Sequence, residues 1–183
     1  MTDATDQPTP TASPSAAEHR AKADATAPAV GVGWVTVSDT RTRETDKSGD
    51  LAEELLTAAG HTIIERHIVK DEPIQIRSVL LGLLASDNVQ AVLLSGGTSV
   101  AQRDSTVDVV EPMFEKPMPG FGEIFRVLSW EEVGPPAILS RATAGILHGK
   151  PVFCLPGSKN AVGLAIEKII APELKHLIWE TLR

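Results

Sequence analysis

Val89-Gln90-Ala91-Val92-Leu93-Leu94 is an apolar run that passes directly into Ser95-Gly96-Gly97-Thr98-Ser99 and then into Arg103-Asp104-Ser105-Thr106. A short apolar run of this kind suits a strand covered on both faces, the habit of parallel sheets. The two glycines let the chain bend sharply and leave backbone N–H groups free to face an anion. In open α/β sheets that carboxyl edge is where ligands bind. One base, one acid and two hydroxyls follow at once, a set suited to a phosphate and its magnesium ion.

Outward from this stretch, the chain alternates strand and helix patterns. Val30 to Val37 reads as a first strand ending in Ser38-Asp39-Thr40. Ser48 can cap a helix with Leu51, Leu55, Ala58 and Ala59 on its inner face, which Gly60 terminates. His61 to Val69 reads as a second strand, ending in Lys70-Asp71-Glu72-Pro73. Ile76, Val79, Leu80, Leu83 and Leu84 keep helical spacing and predict a helix over 74–86. Downstream, Ser105 or Thr106 can cap a short helix that Pro112 limits or kinks. Glu123 to Glu132 looks helical with Ile124, Val127 and Leu128 inward, while 138–148 fits no single element. Pro151 to Leu155 is a strand running into Pro156-Gly157-Ser158-Lys159-Asn160, followed by two helices, the second beginning near Pro172. This order predicts an α/β fold with a mostly parallel sheet and right-handed crossovers. Four strand ends then carry their polar residues to one edge, and that convergence is the argument for a site.

Composition removes several functions. Residues 1–29 hold Ala, Thr, Pro, Ser and Asp with no large apolar residue after Met1, so they are expected to be a flexible tail preceding a domain over 30–183. The net charge is −7 and no basic stripe exists, which argues against nucleic acid. No apolar run reaches membrane-spanning length and no secretory core is present, so a cytoplasmic protein is expected. The single cysteine, Cys154, lies in an apolar strand and reads as a buried, inert thiol. The five histidines lack metal-ligand spacing, and Trp34, Trp130 and Trp179 read as packing residues. Gly145 to Lys150 has the wrong spacing for a Walker A loop, and Gly31-Val32-Gly33 precedes its strand instead of following it.

Asp71 and Asp104 are the carboxylates singled out. Each could simply cap a helix or turn. Their alternative role is magnesium binding, since that ion takes one or two carboxylates plus phosphate oxygens. Without a cation an acid beside a phosphate is unfavourable, because two like charges about 4 Å apart repel by about 4 kcal/mol at an effective dielectric near 20. Arg103, Arg141 and Lys159 are candidates for phosphate contact or for plain surface solvation. Asp39, Ser48 and Glu123 stand in loops or at helix starts, where capping competes with ligand binding.

Taken together, Thr36-Val37-Ser38-Asp39, Asp46-Lys47-Ser48-Gly49, Val69-Lys70-Asp71-Glu72, Ser95-Gly96-Gly97-Thr98, Arg103-Asp104-Ser105-Thr106, Pro119-Gly120-Phe121-Gly122-Glu123, Leu139-Ser140-Arg141 and Leu155-Pro156-Gly157-Ser158 resemble the MogA/MoaB family. These are molybdopterin adenylyltransferases of molybdenum cofactor synthesis, related to the gephyrin G domain, and Ser129-Trp130-Glu131-Glu132 looks more like the MoaB branch. The resemblance implies a three-layer α/β/α domain assembling as homotrimers or homohexamers. It also implies Mg2+, ATP and molybdopterin as cofactor and substrates, with AMP transferred to the pterin's terminal phosphate and pyrophosphate released. By matching motif, Asp71 and Asp104 take the places of the essential, metal-binding aspartates. Gly96, Gly97 and Thr98 would cradle a phosphate. Asp39, Ser48, Arg103, Thr106, Glu123, Ser140, Arg141, Pro156, Gly157 and Ser158 would complete the pocket.

One position departs from the family, which usually has a glycine where this chain has Ser99. If the backbone there is left-handed, serine costs about 1–2 kcal/mol; otherwise its hydroxyl is available to a phosphate. The alternative function is therefore a molybdopterin-binding scaffold that turns over slowly and recruits a protein partner.

Overall fold

The structure is a computed structural model describing residues 29–183. The tail expected over 1–29 lies outside the described residues except for Ala29. In chain order the elements are β1 (Gly31–Val37), α1 (Lys47–Ala58), β2 (Thr62–Val69), α2 (Pro73–Ala85), β3 (Ala91–Ser95), α3 (Thr106–Val110), β4 (Lys116–Pro117), α4 (Pro119–Val133), β5 (Thr143–Leu147), β6 (Lys150–Leu155), α5 (Lys159–Ala165) and α6 (Ala171–Thr181). A π-helical turn, Ile166–Ile170, joins the last two helices.

The six strands form one sheet in the order β2-β1-β3-β6-β5-β4. β2, β1, β3 and β6 run parallel, and β5 and β4 complete the far side antiparallel. Alternation along the central strands divides the core in two. Val32, Trp34, Leu93, Phe153 and Leu155 meet α1, α4, α5 and α6 on one face. Val35, Val37, Val92, Leu94, Val152 and Cys154 meet α2 and α3 on the other. The expected α/β/α sandwich with a mostly parallel sheet is therefore what the chain forms.

Several local expectations are overturned. Asp46, not Ser48, caps α1, accepting from Gly49 N at 3.1 Å. Ser48 and Gly49 are turned inward, so the buried stripe continues through Ala52 and Leu56, and Ala58 and Ala59 are exposed. The period was right and the phase was off by one residue. α4 shows the same error: it starts at Pro119, so Phe121, Phe125 and Ser129 face the core. Ile124 and Val127, expected inward, are 54% and 61% exposed. Trp130 lies on that outer face too and is no packing residue, unlike the fully buried Trp34.

The stretch 138–148 proves to be the end of a 3-10 turn, Pro135–Leu139, followed by β5. His148 (φ 51°) and Gly149 (φ 72°) then make a two-residue hairpin turn into β6. Consecutive left-handed residues match the natural twist of paired antiparallel strands.

Candidate functional site

Because β1, β2, β3 and β6 are parallel, their carboxyl ends open on one rim. Ser38 N donates to Val69 O at 2.8 Å and Gly96 N to Leu155 O at 3.0 Å, tying neighbouring strand ends together. Gly96 (φ +105°) and Gly97 (φ +64°) turn the chain at the centre of this rim. A Cβ at Gly96 would lie 2.2 Å from Val37 O, and one at Gly97 would lie 2.3 Å from Thr106 Oγ1 and 2.6 Å from Asp71 Oδ2. Conformation and space both require glycine here.

Asp71 is 6% exposed, and its Oδ1 accepts from Ser105 N at 3.0 Å and Ser105 Oγ at 2.6 Å. Next to Ser105, Asp104 accepts from Ser99 N through Oδ2 at 2.8 Å. The loop after β3 thus folds back so that both aspartates share one corner of the rim. Thr106 N closes the loop on Gly97 O at 3.0 Å. The fully buried Thr106 hydroxyl finds no partner among the described residues.

Both candidate arginines are held by carboxylates. Arg103 donates to Asp39 from Nε and Nη2, both at 3.1 Å, and to Glu72 at 2.9 Å. It straps the loops after β1, β2 and β3 together, and its guanidinium holds the Asp39 carboxyl below the usual carboxylate range. Asp71 N also donates to Asp39, at 3.2 Å. Arg141 pairs with Asp108 through both terminal nitrogens and lowers that carboxyl's pKa likewise. Its backbone N–H donates to Thr98 O at 3.1 Å, which brings Ser140 and Arg141 to the glycine turn.

Beyond them lies a cleft of about 350 Å³ lined by Glu111, Glu123, Arg126, Ser140, Arg141 and Thr143. Glu123 therefore belongs to this cleft. Ser158 Oγ accepts from Ala161 N at 3.2 Å, so it caps α5, and Ser48 Oγ donates to Gly157 O at 2.9 Å. Lys159 instead lines a hollow with Leu51, Glu132 and Glu167. Cys154 is fully buried, and burial raises its thiol's pKa, so it takes no part in chemistry. Among the described residues no group of three or more His, Cys, Asp or Glu forms a metal cage.

The family described as "Probable molybdopterin binding domain" matches residues 33–176 of this chain. The chain belongs to that family. Within it the chain falls in the MogA/MoaB group. It is 52% identical over 150 residues to molybdenum cofactor biosynthesis protein B of Halalkalibacterium halodurans, covering 81% of this chain and 88% of that protein. A crystal structure of a molybdenum cofactor biosynthesis protein B superposes with a TM-score of 0.83 at 46% identity, over 85% of this chain and 97% of that one. The tungsten cofactor synthesizing protein MoaB from Pyrococcus furiosus superposes with a TM-score of 0.76 at 36% identity, over 85% and 98%.

Three contacts at or behind the rim escape a reading of the sequence. Asp46 Oδ2 accepts from Arg66 Nη2 at 2.7 Å and from Thr36 Oγ1 at 2.8 Å, a buried pair behind the rim. Glu72 and Asp108 are the partners of the two arginines. The only sequence signal for the pair was an arginine inside the β-branched run of β2, and nothing local named its partner. At Ser99 the backbone decides between the two alternatives. His148 is the one non-glycine residue with positive φ among the described residues, so the serine carries no left-handed strain. Its hydroxyl accepts from Ala101 N at 3.1 Å and stabilises the loop.

Proposed function

We propose that residues 30–183 transfer AMP from MgATP onto the terminal phosphate of molybdopterin and release pyrophosphate. The observation that carries this reading is that Asp71 binds Ser105, the chain neighbour of Asp104, beside the Gly96–Gly97 turn, while Asp104 holds Ser99 N in the same loop. A terminal phosphate oxygen of the pterin attacks the α-phosphorus of ATP. The bond from that phosphorus to the bridging β-oxygen breaks, and pyrophosphate leaves with the electron pair. Such a reaction asks the protein for alignment and charge neutralisation and no covalent step.

Gly97 and Thr98 supply backbone donors for a phosphate, while Gly96, whose N–H is spent on Leu155 O and not free for an anion, makes the bend that presents them; Pro156, Gly157 and Ser158 form the facing wall. Ser140, Arg141 and Glu123 extend the pocket along the cleft. Asp39 and Arg103 hold the rim's outer loops together, and Ser48 braces the Gly157 turn from behind. The residues present fit a magnesium ion. Asp71 Oδ2 turns towards Gly97, the Thr106 hydroxyl has no partner among the described residues, and Asp104 is adjacent in the same loop. Asp71 and Asp104 would hold that ion, which neutralises two polyanions as they approach.

Asp104→Ala is expected to retain pterin binding and to lose transfer by about a hundred-fold or more. Formation of adenylylated pterin and pyrophosphate measures it, and an unchanged turnover removes Asp104 from the mechanism. The slow-turnover scaffold reading rests on strain at Ser99, and that strain is absent. Assembly as a homotrimer or homohexamer belongs to the same proposal. Its support is the exposed apolar strip of Val127, Trp130, Val133, Ile138 and Leu139 on α4 and the turn after it.

A further inference from the structure

Three successive carbonyls, starting at the last residue of β6, are each gripped by a different donor. Leu155 O accepts from Gly96 N at 3.0 Å, Pro156 O from Ser95 Oγ at 3.3 Å, and Gly157 O from Ser48 Oγ at 2.9 Å. In a trans peptide the N–H points opposite the C=O of the same plane. Pinning the Pro156 and Gly157 carbonyls therefore fixes where the Gly157 and Ser158 N–H groups aim, away from the two serines. Close approach supports this arrangement, since a Cβ at Gly157 would lie 3.3 Å from Gly96 Cα.

Ser48 is itself held rigidly. It follows the Asp46 cap by two residues. Asp46 is 1% exposed and binds Gly49 N, Thr36 Oγ1 and Arg66. Thr36 Oγ1 in turn accepts from Trp34 Nε1 at 2.8 Å, anchoring the chain of bonds in β1. Arg66 also reaches Asp50 and Glu53 at 3.1 Å each, so the first turns of α1 are locked to β2. A methyl group at Gly49 would lie 2.2 Å from Asp46 Oδ2 and 2.3 Å from Arg66 Nη2, so the helix can sit this close only with glycine there.

We infer that Ser48 is a positioning residue, assisted by Ser95: the two hydroxyls orient the Gly157 and Ser158 amides to receive a substrate phosphate. The inference rests on the proposed role of this rim in phosphate binding. It assigns Ser48 neither a capping role nor a direct contact with the ligand. The phosphate belongs either to the pterin or to the nucleotide, and separate titrations with molybdopterin and with MgATP distinguish them.

The experiment reads full-length wild type, Ser48→Ala and Ser48→Thr by amide order parameters and by calorimetry. In Ser48→Ala the order parameters at Gly157 and Ser158 are expected to fall from about 0.85 to below about 0.6. Affinity for one titrant is expected to fall about five-fold, in line with loss of one hydrogen bond. Ser48→Thr keeps the hydroxyl and is expected to restore both, which a mere loss of packing would not predict. Order parameters unchanged in Ser48→Ala overturn the inference, as does a loosened turn with both affinities intact. Wild type that binds neither titrant sinks the adenylyl-transfer reading, while the order parameters still decide whether Ser48 sets the turn.

Discussion

At Gly97 the backbone and the side-chain chemistry of the rim meet. Its left-handed conformation costs an alanine about 1–2 kcal/mol before any contact is counted. The added methyl would also press on Thr106 Oγ1 and Asp71 Oδ2, two atoms the proposed magnesium site depends on. Gly97→Ala is therefore expected to lower unfolding free energy by about 2 kcal/mol or more in urea titration and to abolish MgATP binding. A variant of wild-type stability and affinity would show that the loop can move aside. This residue was legible in the sequence because a double glycine at a strand end announces a tight turn. The pairing of Arg103 with Asp39 and Glu72 was not, since an arginine's partner depends on which loops the fold brings together.

His61, the residue before β2, meets the Ala171 backbone at the start of helix α6. The ring accepts from Val30 N at 3.4 Å through Nδ1, and the Ala171 backbone offers it a further hydrogen bond. Burial pushes its pKa below the ordinary 6.5, with Lys175 adding to the effect. The unfolded chain therefore takes up a proton first as pH falls. Stability present above about pH 6.5 is lost as pH drops through the folded value. Thermal midpoints of wild type are expected to fall between pH 7.5 and 5.5, and those of His61→Gln to fall less. Equal slopes would clear His61 of that role. Elements themselves were largely legible, because 3.6-residue and two-residue periods survive in α2, β3 and β6. Which face of a helix turns inward was less so. One residue of uncertainty at the start of α1 or α4 rotates the face by a quarter-turn, and only packing of Phe121 and Phe125 against the sheet decides it.

For the molecule as a whole, the outer face of α4 matters most. Trp130, with Val127 and Ile138 beside it, is apolar surface that water disfavours, and assembly would cover it. Light scattering is expected to show an oligomer for wild type and a smaller species for Trp130→Glu. A monomeric wild type would end the proposed assembly. The strand order also constrains how the chain can be made. β6 is the last strand in sequence yet lies against β3 in the middle of the sheet. During synthesis the inner edge of β3 must wait for Lys150–Leu155 to leave the ribosome, and until then it offers other chains an unpaired apolar border. A truncated product would thus be a sticky fragment with no usable rim, and its removal would fall to chaperones and proteases.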